Sequence, residues 1–435
     1  MTPAPPAPLA IEPLAGPLDA TVAVPGSKSI TNRALVVAAL AEGRSVLEGA
    51  LVADDTSSMA EALATLGFPV ACGPGATMVV EGTGGAVPPG PAHLDARLAG
   101  TTARFLLPLL ALGRGRYRLD GAPPLRARPM GPLVSALRAL GAVIEEEERP
   151  GHLPLTVVGS GLDGGAVRLP GAVSSQFTSA LLLSGPAMPR GLRVEVEGEV
   201  VSRPYLELTA TTMAAFGVPV ERVGERGFAV EPRAYRATLF HVEPDASAAS
   251  YFFAAAAICG GRVRVPGLPA SSGQGDLAFV EVLEAMGARV GRRPGGTEVE
   301  GTGELVGVDV DLADCSDVAQ TLAAVAPFAS SPTRVRGIGF IRHKETDRIA
   351  AVVTELRRCG IEAEEEADGF VVHPGWPRPS RVRTYGDHRM AMSFALLGLR
   401  APGIEIADPG VVAKTFPGFF AALDALGRAS PSTAG

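Results

Sequence analysis

Six times along the chain a helix pattern runs into a glycine. Apolar or near-apolar residues stand eight, four and one positions ahead of it. The six sets are Met59, Leu63 and Leu66 before Gly67; Leu133, Leu137 and Leu140 before Gly141; Thr209, Met213 and Phe216 before Gly217; Phe279, Leu283 and Met286 before Gly287; Val352, Leu356 and Cys359 before Gly360; and Phe419, Leu423 and Leu426 before Gly427. This spacing lines one helix face, and the glycine suits a left-handed C-terminal stop. Successive glycines lie 74, 76, 70, 73 and 67 residues apart. A strand-like segment usually follows, as in Ala142-Val143-Ile144.

A second series keeps the same phase. Ala/Leu-rich helices open at Ser27, Thr101, Ser174, Ala246, Asp317 and Asp387, with steps of 74, 73, 72, 71 and 70 residues. Each copy is longer than a solenoid repeat, which spans ~20–50 residues. It reads as a small α/β subdomain with two helices and several strands, among them Val22-Ala23-Val24, Met78-Val79-Val80 and Arg193-Val194-Glu195-Val196. Six such copies most simply make two domains of three. A chain of 435 residues is in any case too long for one ordinary core.

The second series also shows where chemistry would sit. A helix N-terminus offers unpaired N–H groups and the positive end of a dipole, so it favours anions. The six starts carry Ser-Lys-Ser, Gly-Thr-Thr, Ser-Ser-Gln, Asp-Ala-Ser, Ser-Asp-Val and Gly-Asp-His-Arg. Ordinary capping explains one hydroxyl or carboxylate at each start. It does not explain Lys28, Gln176, His388 or Arg389.

The chain holds 39 basic side chains, of which only Lys28, Lys344 and Lys414 are lysine. Arginine has taken over the surface, so these three are candidates for sites that need a compact, tunable charge. The net charge of −7, with both signs interspersed, argues against nucleic-acid binding. An anionic small substrate remains compatible, because a local cationic cluster focuses field inside an acidic protein. Cys72, Cys259, Cys315 and Cys359 are far apart and form no C-x-x-C pair, so reduced thiols are expected, with no zinc site or disulfide framework. Residues 1–10 lack the basic start and apolar core of a signal peptide. The longest apolar stretch, Ala246 to Cys259, is too short to span a bilayer. These features point to a cytoplasmic protein with no membrane partner.

Gly26-Ser27-Lys28-Ser29 suggests a P-loop and fails as one, since that motif needs glycine directly before the lysine and another five residues earlier. Ser27 and Val22 occupy those places. Pro25 to Arg33 instead resembles the phosphate-and-hydroxyl grip of enolpyruvyl transferases. Further resemblances run in order: Leu98-Ala99-Gly100-Thr101-Thr102-Ala103-Arg104; Arg126-Ala127-Arg128-Pro129-Met130; Ser174-Ser175-Gln176-Phe177; Ser202-Arg203-Pro204-Tyr205; Asp314 to Asp317; His343 to Arg348; Tyr385 to Met392; and Ala413-Lys414-Thr415-Phe416-Pro417. Over about residues 10–428 the chain is similar to the 5-enolpyruvylshikimate-3-phosphate synthase family.

That resemblance implies two domains, each an inside-out α/β barrel of three βαβαββ units. The first would comprise residues 1–24 and 242–435, the second residues 25–241, with the active site in the cleft between them. It implies transfer of the enolpyruvyl group of phosphoenolpyruvate to the 5-hydroxyl of shikimate 3-phosphate, with no metal or organic cofactor. A monomer is expected. Lys28, Ser29, Arg33, Ser174, Ser175, Gln176, Ser202, Tyr205, Asp317 and Lys344 would bind shikimate 3-phosphate. Lys28, Gly100, Arg128, Gln176, Arg348, Arg389 and Lys414 would bind phosphoenolpyruvate. Lys28 would touch both substrates, Asp317 would be the base, and either Lys344 or Glu345 would serve proton transfer at C3. Asp387 and His388 would line the same pocket, with His388 counted among the catalytic residues. Glyphosate would compete with phosphoenolpyruvate.

Taken singly, Asp317 reads as an N-cap, Glu345-Thr346-Asp347-Arg348 as a salt-bridged turn and His388 as a structural histidine. Arg104 and Asp54-Asp55 read as interdomain or capping residues. The chain departs from many relatives at Leu98 and Phe340, where they carry asparagine, and at Arg203, where they carry lysine. A sister enzyme acting on UDP-N-acetylglucosamine shares the fold but carries a reactive cysteine near residues 110–130, where this chain has none. A non-catalytic repeat scaffold is the alternative of a different class.

Overall fold

The computed structural model describes residues 7–428. The chain divides into two compact units, Met1–Pro25 with Pro244–Gly435, and Gly26–Glu243. Both are mixed α/β, built from small open sheets.

Five sheets share one pattern: a parallel pair, then two antiparallel neighbours. In the second unit, for example, Ala92–Asp95 runs parallel to Arg114–Asp120, which pairs antiparallel with Leu155–Ser160, itself antiparallel to Val143–Glu146. The parallel pair needs a crossover, and the helix Gly100–Leu112 supplies it. A second helix, Gly131–Ala139, leads into Val143–Glu146. The sixth sheet has three strands, Ser380–Val382, Ile404–Ile406 and Leu9–Ala10. The N-terminal strand Leu18–Thr21 runs parallel to Gly261–Pro266, which ties the start of the chain to the unit formed mainly by its second half. That strand lies just ahead of the Val22-Ala23-Val24 expected from sequence. Val22 continues the ladder only through its N–H, which donates to the Arg264 carbonyl at 2.8 Å.

The helices are of two kinds. Lys28–Leu40, Gly100–Leu112 and Ser175–Ser184 in the second unit, and Ala246–Cys259, Ala319–Val325 and His388–Gly398 in the first, are buried almost all round. They are mostly apolar all round, as suits a helix enclosed by other elements, with a few buried polar residues such as Arg33, Gln320 and Arg389. In each unit the three pack on one another. The other helices, such as Asp54–Thr65 and Arg348–Arg358, are amphipathic, and five of them stop at a glycine. Gly67, Gly141, Gly217, Gly287 and Gly360 have φ of +97°, +96°, +86°, +114° and +76°, the left-handed conformation that glycine alone adopts without strain. Gly427 differs, because the helix Phe419–Arg428 runs on through it.

The openings of the buried helices place polar groups at their N-termini. Ser27, Ser174, Asp245 and Asp387 are N-caps, each accepting from a backbone N–H of the first turn. Two openings differ from the sequence expectation. Ala99 caps Gly100–Leu112 without a side-chain bond, leaving Thr101 as the second helical residue. Asp317 sits in a 3₁₀ turn, Ser316–Val318, just ahead of Ala319–Val325, so its carboxylate is not consumed by capping.

Candidate active site

In the first unit five elements bring seven charged side chains into one cluster. The 3₁₀ turn Ser316–Val318 carries Asp317. The turn Gly339–His343 delivers Lys344 and Glu345. Asp347 caps the helix Arg348–Arg358 by accepting from the Ala350 N–H at 3.0 Å, which starts that helix at Arg348. Asp387 caps His388–Gly398 by accepting from the Arg389 N–H at 2.9 Å. Lys414 ends the turn Pro409–Lys414.

Arg348 is the hub. Its Nε donates to Asp387 Oδ2 at 2.7 Å, one terminal nitrogen to Asp317 Oδ1 at 3.1 Å, and the other to Glu345 Oε2 at 2.8 Å. Asp317 also accepts from Lys344 Nζ at 2.6 Å and from Arg389 at 2.7 Å. Lys414 Nζ reaches Glu345 Oε1 at 2.8 Å. Ser316 joins through Lys344 at 3.2 Å, and Ser247 and Tyr251 through Arg389 at 3.2 and 3.4 Å. His388 lies with Nδ1 3.5 Å from Asp387 Oδ1, both residues essentially inaccessible to solvent. The Lys344 ammonium also stands 5.6 Å from the centre of the Phe340 ring, which offers it a π-face.

Four cations meet three carboxylates, an excess of one positive charge with His388 neutral. Burial alone would raise the pKa of Asp317. Arg389, Lys344 and Arg348 outweigh it and hold the carboxyl well below its usual range. Burial, assisted by Arg348 and Arg389, lowers Lys344 against the opposing pull of Asp317. Arg348 moves up, because Asp387, Glu345 and Asp317 overcome the cost of its burial. Tyr251 is pushed up to about 12 by burial and stays a neutral donor or acceptor.

The second unit holds the other candidates in smaller groups. Lys28 Nζ lies 3.1 Å from Asp55 Oδ2, and both side chains are largely buried. Asp55 is thus a partner of Lys28 and not a cap; Ala53 occupies the N-cap of Asp54–Thr65. Arg104 is likewise no cap. It is buried, donates to Gln176 Oε1 at 2.5 Å and lies over the Phe177 ring at 5.3 Å. Gln176 in turn donates to Thr101 at 3.3 Å. Arg128 packs on Gly100: a Cβ there would lie 2.8 Å from one guanidinium nitrogen and 2.9 Å from Cζ. Ser174 accepts from the Gln176 N–H at 3.2 Å, Ser175 is buried beside it, and Ser202 is buried at the mouth of Pro204–Ala215 with φ +54°.

Arg33 is built into the core. Its guanidinium donates to Thr209 at 2.8 Å, the Ser29 carbonyl at 2.9 Å, Ser179 at 3.3 Å and the Tyr205 carbonyl at 3.1 Å. Phe105 and Tyr205 flank it at 5.2 and 5.8 Å. Burial lowers its pKa to about 10 against the pull of Tyr205. In this arrangement Arg33 ties Ser29 and Tyr205 together.

Comparison with known proteins identifies the family and the fold. Residues 14–423 match the family model described as EPSP synthase (3-phosphoshikimate 1-carboxyvinyltransferase), and the chain belongs to that family. It is 50% identical over 406 residues to a 3-phosphoshikimate 1-carboxyvinyltransferase of Nostoc punctiforme, covering 93% of this chain and 95% of the relative. A protein of the same name from Methanosphaerula palustris is 43% identical over 417 residues, covering 95% and 98%. Among solved structures, an EPSP synthase from Acinetobacter baumannii superposes with a TM-score of 0.83 at 26% identity, covering 97% of this chain and 98% of that one.

Proposed function

We propose that the chain transfers the enolpyruvyl group of phosphoenolpyruvate to the 5-hydroxyl of shikimate 3-phosphate, and that the clusters of both units serve this one reaction. C3 of phosphoenolpyruvate takes a proton, the 5-hydroxyl oxygen bonds to C2, and a tetrahedral intermediate forms. That intermediate loses phosphate, and a C3 proton with it, to give the enol ether. The reaction needs cations for two phosphates and a carboxylate, a group to take the hydroxyl proton and an acid for C3.

The observation that carries the reading is the ion cluster of Asp317, Lys344, Glu345, Arg348, Asp387, Arg389 and Lys414. Arg348 and Arg389 are planar forks suited to carboxylate and phosphate, and they are assigned with Lys414, Gly100, Arg128 and Gln176 to phosphoenolpyruvate. Ser29, Ser174, Ser175, Gln176, Ser202, Tyr205, Lys344 and Arg33 are assigned to shikimate 3-phosphate, Arg33 in part by holding Ser29 and Tyr205. Lys28 serves both. Asp317 is the base for the 5-hydroxyl. A carboxylate held so low is a poor base, since proton transfer is best when the pKa lies near the working pH. Anionic substrates bound beside Lys344, Arg348 and Arg389 would offset the positive charge that holds Asp317 low, without moving those side chains, and so raise its basicity. Glu345 shares Arg348 and Lys414, and His388 shares Asp387, so both lie within the same charge network.

The finer architecture we assign is two inside-out barrels of three βαβαββ units, which the recurring strand order supports. We further propose that shikimate 3-phosphate draws the units together and that glyphosate competes with phosphoenolpyruvate. Small-angle scattering should show a smaller radius of gyration with saturating shikimate 3-phosphate, and an unchanged radius would count against closure. The decisive assay follows phosphate release from phosphoenolpyruvate with shikimate 3-phosphate and, separately, with UDP-N-acetylglucosamine. Release only with the former is expected. Release with neither would sink the reading.

A further inference from the structure

The helix Arg348–Arg358 carries a second buried charge that the chemistry above does not use. Glu355 is wholly inaccessible to solvent. A carboxylate is not buried in a helix interior without compensation, because its desolvation must be met by donors. Its Oε2 accepts from the Arg383 backbone N–H at 3.0 Å, and its Oε1 from the Tyr385 hydroxyl at 2.7 Å and from Arg358 at 3.3 Å. Only Arg358 belongs to the same helix. The other two donors lie on the segment that leads into Asp387, His388 and Arg389.

Glu355 stands seven residues after Arg348, two turns along the same face and about 10 Å further along the axis. One helix therefore grips the 383–387 turn at both ends. Arg348 holds the Asp387 carboxylate at 2.7 Å, and Glu355 holds Arg383 and Tyr385. Arg358 extends the seam with a bond of 3.0 Å to the Arg381 carbonyl, and the Asp387 N–H closes the turn on the Thr384 carbonyl at 2.8 Å. Tyr385 has φ +54°, a conformation that a bulky residue keeps only when its surroundings impose it. Its bond to Glu355 is the visible restraint. Tyr385 titrates only near 12, pushed up by burial and by Glu355, so the hydroxyl remains a donor throughout the working range.

We propose that Glu355 and Tyr385 are positioning residues for phosphoenolpyruvate: the hydrogen bond from the Tyr385 hydroxyl to the buried Glu355 carboxylate holds the left-handed turn that sets Asp387 and Arg389 in place. This rests on the assignment of Arg348 and Arg389 to phosphoenolpyruvate. A guanidinium displaced by a fraction of an ångström still binds, but with poorer alignment to the reacting group.

The test uses Tyr385→Phe and Glu355→Gln in the full chain, with their double variant. Tyr385→Phe keeps the ring and removes one donor to a buried carboxylate, so the thermal midpoint should fall; the misaligned Arg389 should raise the KM for phosphoenolpyruvate about tenfold, with the KM for shikimate 3-phosphate near wild type. The double variant should be no worse than Glu355→Gln alone, because both changes break one interaction. Amide hydrogen exchange across residues 383–389 supplies a readout that needs no turnover, and it should speed up in both single variants. A KM for phosphoenolpyruvate within twofold of wild type overturns the proposal, as do fully additive effects or unchanged exchange in this segment. If wild type itself releases no phosphate, the functional assignment fails, and the exchange result alone decides whether the anchor exists.

Discussion

In the first unit the candidate residues share one ion cluster, whereas in the second they fall into smaller groups built largely of hydroxyls, amides and single cations. Arg348 alone touches three carboxylates in the first. In the second, Lys28 has Asp55, Gln176 has Arg104 and Thr101, and Arg128 rests on Gly100. The difference has a physical consequence. A cluster of interlocked charges resists rearrangement, since moving one member leaves others buried and unpaired. It is therefore suited to presenting fixed charge to a reacting centre. Hydroxyls, amides and a single lysine pair rearrange at lower cost and suit recognition of a substrate with many polar groups.

Asp317→Asn should have the largest effect, because it tests the interlocking directly. Three cations would lose their shared carboxylate, and the proposed base would be gone. Turnover should fall on the order of 10³-fold, the middle of the range for a general base. Stability should fall by about 3 kcal/mol at neutral pH, as for a buried pair broken on one side. The sign with pH follows from linkage. A carboxyl held below its unfolded value stabilises the fold above that value, and the contribution is lost as pH falls through the folded pKa. The gap in thermal midpoint between wild type and Asp317→Asn should thus be widest near neutrality and should close in strong acid. A constant gap would mean that the cluster is not electrostatically interlocked.

Lys28→Arg carries the same question into the second unit. Arginine keeps the charge, but it is wider and holds its donors in a plane. A misplacement of about 1 Å can cost on the order of 10²-fold. Turnover should drop by about that factor with little change in thermal midpoint. A variant that keeps more than about a tenth of wild-type turnover would show that the pair with Asp55 tolerates any cation, and would erase the contrast with the first unit.

Gly100→Ala asks how much room the second unit has. The added Cβ would come within 2.8 Å of the Arg128 guanidinium, the far end of a flexible side chain. Arg128 should give way by a few tenths of an ångström and the fold should hold. The KM for phosphoenolpyruvate should rise by up to about tenfold, the scale of one weakened bond to a charged group, and the inhibitory concentration of glyphosate should rise with it. Unchanged values for both would place Arg128 outside the binding site.

The same contrast governs what the sequence could reveal. Periodicity and capping are local, so Ser27, Ser174 and Asp387 at helix openings and five glycines at helix ends were legible before any coordinates. Gly427 was misplaced because a glycine near a helix end does not by itself stop the helix. Long-range pairing was less legible. An aspartate at a helix start is an ordinary cap in sequence, and nothing local says that Asp55 faces Lys28 or that Arg104 meets Gln176, 72 residues away. Arg33 stood out as part of a motif, but its bond to Thr209 spans 176 residues and only the fold reveals it. Glu355 carries no signal in the sequence, because its partners Arg383 and Tyr385 lie about 30 residues on and only the fold brings them together.

The smallest expected effect is a shift in pH dependence, and it concerns one lysine of the first unit's cluster. Lys344 is pulled below its ordinary 10.5, first by burial and then by Arg348 and Arg389. A lysine held low in the folded protein binds its proton less tightly there than in the unfolded chain. Its proton is therefore lost earlier as pH rises, and the linkage term favours the folded state across that window. Activity and stability should part company in mild alkali. Turnover should decline below the pH at which a free lysine titrates, while the thermal midpoint does not fall for this reason. Lys344→Arg should move that alkaline limb upward, because arginine keeps its proton throughout. Its turnover on the plateau will be lower, so the comparison is the position of the limb and not its height. A limb that stays where it was in Lys344→Arg would show that Lys344 does not set it, and the excess cation of the cluster would then have to be assigned to Lys414.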